Sequence, residues 1–191
     1  MGTTCRSRAT LHLFKSIAAA GMLAAGPSHA QPRLDECLVS AARTYAVSPA
    51  LLAAIRYTES KNRDSAIRVN SDGSIDRGAW QINSIHLSQL ARWSIGPDDL
   101  HDPCRSAFVA AWHLRSKFNQ YGTSWRGVGA YKSATRGINE AYANEIRATV
   151  LRFAALLPGD DQLLGLLNGP FTALPKPQVQ EPVVDLTYQQ E

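Results

Sequence analysis

Ser48-Pro49-Ala50-Leu51-Leu52-Ala53-Ala54-Ile55-Arg56-Tyr57-Thr58-Glu59-Ser60 reads as an amphipathic helix with a marked start. Ser48 suits the N-cap and Pro49 the first helical position. Leu51, Leu52 and Ile55 then recur at helical spacing, and Glu59 falls four residues after Ile55 on the same face. Flanking segments repeat the period. Leu34, Leu38, Ala41, Ala42 and Tyr45 predict a helix over 34–46. Asp102-Pro103 caps a third, which runs through Phe108, Val109, Trp112 and Leu114 and stops near Gly122. Further helical stretches cover 124–132 and about 139–157. Residues 61–77 are polar and turn-rich around Asn70-Ser71-Asp72-Gly73, and no segment alternates as a long strand. The expected fold is mainly α: one helical domain with a small loop or hairpin region.

The chain has 191 residues, 45% of them hydrophobic and 19% charged, enough for one globular domain with length to spare. Its formal charge is +4. Residues 1–30 contain Arg6, Arg8 and Lys15 but no acid, then an apolar run from Ile17 to Ala25 and small residues ending at Ala30. That is the layout of a secretory signal peptide cleaved after Ala30; the alternative is an amphipathic helix that is retained. The apolar run is too short to span a bilayer comfortably, and no cysteine follows the cleavage point, so no lasting membrane anchor is expected. Cleavage removes Cys5 and leaves Cys37 and Cys104. Export makes a disulfide between them the default, with two free buried thiols as the alternative.

The globular body is expected over 31–157, followed by a Pro-rich acidic tail over 158–191 that carries an apolar patch. The body has a net charge of about +5 and the tail −4. The basic body suits an anionic substrate. Its Lys and Arg residues are dispersed and form no run, which argues against nucleic acid.

Glu59 is the leading catalytic candidate. It shares its helix face with core residues and sits at the negative end of the helix dipole. Burial and the dipole both favour the protonated carboxyl, as a general acid requires. The alternative is a peripheral carboxylate that reaches solvent. Gly78-Ala79-Trp80-Gln81-Ile82-Asn83 offers two amides and a flat apolar ring, groups that suit sugars; read alone, it is a turn and a short buried segment. Asp76 is either a second catalytic carboxylate or a turn residue bonded to nearby amides. Asn70, Asp72, Ser74 and Asp76 lack the terminal Glu and the glycine position of a calcium loop, so no metal or cofactor is expected. His86 and His113 read as helix-surface residues.

Taken in order, Glu59-Ser60, Gly78-Ala79-Trp80-Gln81-Ile82-Asn83-Ser84, Gly129-Ala130-Tyr131 and Tyr142 resemble the successive motifs of the lysozyme-like soluble lytic transglycosylases. The small exported members of secretion, conjugation and pilus systems are the most similar, and Cys37 with Asp102-Pro103-Cys104 matches a cysteine pair found in many of them. The resemblance covers about residues 35–150 and implies an α+β lysozyme-like fold with an active-site cleft. It implies cleavage of the β-1,4 bond between N-acetylmuramic acid and N-acetylglucosamine in the periplasm, with Glu59 as acid and then base. It further implies that Ser60, Trp80, Gln81, Asn83, Tyr131 and Tyr142 line the cleft, and that partners belong to an envelope-spanning machine.

Two features depart from the pattern. Lys132-Ser133 stands where the family commonly has Asn-Ala-Gly, and Ala79-Trp80 replaces Leu-Met, with Trp80 expected to tighten sugar stacking. Asp76 also matches the second carboxylate of animal-type lysozymes, so a hydrolytic muramidase using Glu59 and Asp76 is the rival reading. A non-enzymatic wall-binding assembly factor is the rival from another class.

Overall fold

The computed structural model describes Met1 and residues 34–156. The expected signal segment beyond Met1 and the acidic tail therefore lie outside the described residues. The elements run α1 (Leu34–Thr44), α2 (Pro49–Ser60), β1 (Ile67–Val69), β2 (Ile75–Arg77), β3 (Ile82–Asn83), α3 (Leu87–Leu90), α4 (Pro103–Tyr121), α5 (Trp125–Gly129) and α6 (Arg136–Leu156), with single 3₁₀ turns between β3 and α4. No single helix among the described residues is long and apolar enough to cross a membrane.

The caps follow from the sequence. The Ser48 hydroxyl accepts from the Leu51 N–H, and Pro49 opens α2. Asp102 accepts from the Arg105 N–H at 2.7 Å ahead of Pro103 and α4. α4 is the central helix. Ala107, Val109, Ala110, Ala111, Trp112, Leu114 and Phe118 are buried around its circumference, as expected of a helix packed on several sides. α1 and α2 pack on it, and α6 closes over α2 and α5. Arg115 of α4, itself buried, donates from Nε to the Tyr45 carbonyl at 2.7 Å and from Nη2 to the Ala46 carbonyl. Those carbonyls belong to the α1–α2 turn, where Ala46 holds a φ of +48°. A disulfide joins Cys37 of α1 to Cys104 at the start of α4, with Cα atoms 5.1 Å apart.

The three strands form one antiparallel sheet in the order β1-β2-β3. Arg68 pairs with Asp76, and Asp76 with Asn83, so the three side chains form one row across the sheet. Gly78 makes the turn that returns the chain toward β3. Its φ is +74°, and a Cβ there would lie 1.8 Å from the Leu100 carbonyl oxygen, so only glycine fits.

Candidate active site

Glu59 lies in the last turn of α2, and its side chain is only 5% exposed. Burial raises its pKa; Lys132, Tyr142 and Arg68 act against that rise, and the Asp76 charge adds to it. The Lys132 ammonium stands 3.8 Å from Oε2 of Glu59. The Tyr142 hydroxyl is buried beside the same carboxylate, close enough to lower its pKa, yet closes no hydrogen bond of ordinary length. Burial and the neighbouring Glu59 hold both Tyr131 and Tyr142 well above the usual phenol pKa, so both hydroxyls remain protonated. Their rings stack at 6.4 Å. The Tyr131 hydroxyl donates to the Trp80 carbonyl at 3.1 Å and so fixes the turn after Gly78.

Asp76, 5% exposed, faces the same cleft. Arg68 donates to its Oδ2 from Nε at 3.0 Å and from Nη2 at 2.6 Å, and the Asn83 amide donates to its Oδ1 at 2.7 Å. Both oxygens are thus engaged, each by a neighbour in the cross-strand row. The cleft encloses about 440 Å³ and is lined by Glu59, Arg68, Asp76, Gln81, Asn83, His86, His113, Lys117, Tyr131 and Lys132, among others.

Several expectations change at this level. Trp80 is not a sugar platform: it is fully buried, its indole N–H donates to the Leu52 carbonyl at 3.0 Å, and it anchors the sheet onto α2. The Arg56 guanidinium lies 5.3 Å above its ring and pairs with Asp64 at 2.8 Å. Ser60 does not face the cleft either. It is buried, donates to the Arg56 carbonyl and accepts from the Arg63 N–H at 3.0 Å, which closes the end of α2.

Gln81 and Asn83 do line the cleft, but their amide NH2 groups are occupied. Gln81, at a φ of +50°, donates to the Gly78 carbonyl at 2.9 Å. The Asn83 oxygen accepts from the Ile85 N–H, so both ends of that side chain are engaged. His113 is not on the surface. It is buried, its Nε2 lies 3.3 Å from the Tyr131 carbonyl, and burial pushes its pKa down to about 3. Among the described residues no group of three or more His, Cys, Asp or Glu side chains is placed to hold a metal.

A helical body, a small antiparallel sheet and a buried glutamate at the end of a helix facing a cleft define the lysozyme-like class of folds. The chain belongs to the transglycosylase SLT domain family, whose model matches residues 36–149. Similar proteins include the X polypeptide of Escherichia coli (strain K12), 36% identical over 118 residues that span 58% of this chain and 70% of that one. Invasion protein IagB of Salmonella typhimurium (strain LT2) is 38% identical over 116 residues, 58% of this chain and 72% of its own. Protein IpgF of Shigella flexneri is 35% identical over 125 residues, 63% and 82%.

Proposed function

We propose that this chain is a lytic transglycosylase of peptidoglycan, with Glu59 as its acid and base. The observation that carries the reading is the buried Glu59 carboxyl, with its raised pKa, facing a cleft. Protonated Glu59 gives its proton to the glycosidic oxygen as the C1–O bond breaks. The resulting carboxylate then takes the proton of the muramoyl 6-hydroxyl, whose oxygen bonds to C1 and closes the 1,6-anhydro ring. One group serves twice because its two protonation states alternate through the reaction. Lys132, at 3.8 Å, stabilises the carboxylate that forms midway.

The occupied oxygens of Asp76 favour this route over a retaining hydrolase, where Asp76 would attack as a nucleophile. In our reading Asp76 supplies negative charge to the oxocarbenium-like centre and holds Arg68. The signal-like residues 1–30 and the similarity to an invasion protein support a role in the periplasm. There the enzyme would open the wall locally for a secretion, conjugation or pilus apparatus.

Product mass tests the reaction. Digested peptidoglycan should yield muramic ends lighter than reducing ends by one water. Glu59→Gln should lower their release by roughly 10²–10⁴-fold. Reducing ends alone would assign the hydrolase instead. Undiminished lysis by Glu59→Gln would remove that residue from the mechanism, and wall binding without any product would favour the assembly-factor reading.

A further inference from the structure

Among the described residues, the Lys and Arg side chains lining the cleft each stand against an acid except for one. Arg68 is held by Asp76, and Lys132 stands against Glu59. Asp72 turns its carboxylate onto the Ser74 N–H at 2.9 Å, within its own turn. Lys117 also lines the cleft and is half-buried, yet it has no acidic partner among the described residues. It lies one turn beyond His113 on α4, so the two share a helix face.

A row of rings leads to that part of the cleft. Tyr142 stacks on Tyr131, Tyr131 meets His113 at 4.8 Å, and His113 meets His86 at 4.6 Å. Burial lowers the pKa of both imidazoles, and Lys117 lowers each further, so both are neutral at neutral pH. An ammonium drawn partly out of water, beside neutral rings and without a counter-ion, is unfavourable until an anion arrives.

We infer that Lys117, which lines the cleft one turn of α4 beyond His113, forms a subsite for a carboxylate carried by the substrate. The inference rests on reading the cleft as a peptidoglycan site. The glycan backbone, N-acetylglucosamine alternating with amide-linked muramic acid, is uncharged, and the carboxylates reside on the peptide stems. The subsite therefore selects strands whose stem carboxylates are free over strands whose stem carboxylates are amidated.

Binding by the full chain in a Glu59→Gln background, where the glycan stays intact, tests the subsite. The probes are peptide-bearing strands, the same strands with their stem carboxylates converted to primary amides, and free stem peptide. Peptide-bearing strands should bind roughly tenfold tighter than the amidated ones at low salt. Lys117→Met should erase that preference, and Lys117→Arg should restore most of it. Weak binding of free peptide, lost in Lys117→Met, would place the carboxylate on the stem. No preference in the background protein, a preference untouched by Lys117→Met, or binding to neither strand would overturn the subsite. The reaction is scored separately. If the intact Glu59 chain released no anhydro ends while the preference held, the reaction reading alone would fall. Normal release without any preference would overturn only the subsite.

Discussion

Glu59 and Lys132 illustrate how one side chain sets the working range of another. Burial favours the neutral carboxyl, and the ammonium 3.8 Å away favours the ionised one. A general acid must be protonated, so activity falls as pH rises through the Glu59 pKa. Removing Lys132 removes the largest influence that lowers this pKa, and the pKa then rises further. The high-pH limb of kcat/KM should move to higher pH in Lys132→Met and return toward its original position in Lys132→Arg. A limb that stays in place in Lys132→Met would show that the pair does not control the acid. Helical periodicity placed Glu59 on the core-facing side of α2, whereas its reading as the candidate acid over a peripheral carboxylate needed the ordered family motifs as well. Lys132 stood out as a departure from the family pattern, but its 3.8 Å contact with Glu59 spans 73 positions of chain, and no local pattern encodes that distance. His113 and Trp80 were misread for a related reason. Whether a ring is a surface or a strut depends on what packs over it, and here the α4 environment and the Leu52 carbonyl decide.

Among the elements, the helices could be read closely and the sheet could not. The Ser48-Pro49 and Asp102-Pro103 starts coincide with the observed caps because capping is local chemistry. β1 and β2 are three residues each and β3 is two, too short for alternation to register, and β1 is exposed throughout. What holds this sheet is the Arg68–Asp76–Asn83 row and the turn at Gly78. That turn is the most vulnerable point of the site's scaffold. A methyl group at 78 meets the Leu100 carbonyl and forces a left-handed φ on alanine. Gly78→Ala should cost about 2–4 kcal/mol in denaturant unfolding. It should also weaken turnover beyond the loss of folded protein, because Tyr131 and Trp80 share that turn. A variant with unchanged stability would show that the turn relaxes without strain.

At the scale of the molecule, the cleft is assembled by contacts between distant parts of the chain. Thr58 of α2 meets Thr149 of α6 at 3.3 Å, and Tyr131 and Tyr142 reach Glu59 from beyond α4. α4 is the common support, and α1 with the turn after it is fastened to it twice, by the Cys37–Cys104 bond on α1 and by Arg115 on the Tyr45 and Ala46 carbonyls of the turn. These two fastenings act on different states. The arginine bonds exist only in the folded protein, whereas the disulfide, with its cysteines 67 positions apart, mainly restricts the unfolded chain. Replacing both cysteines with alanine should therefore lower unfolding stability by about 4 kcal/mol while leaving α1 docked. Neither cysteine lines the cleft, so the pH profile and the products of the double variant should match those of the intact chain. Urea unfolding of the full chain, followed by near-ultraviolet circular dichroism, reads both quantities. A loss under about 1 kcal/mol would mean that the unfolded chain is already compact around this loop. Loss of the native dichroism signal before urea is added would mean that the arginine contacts alone cannot keep α1 in place.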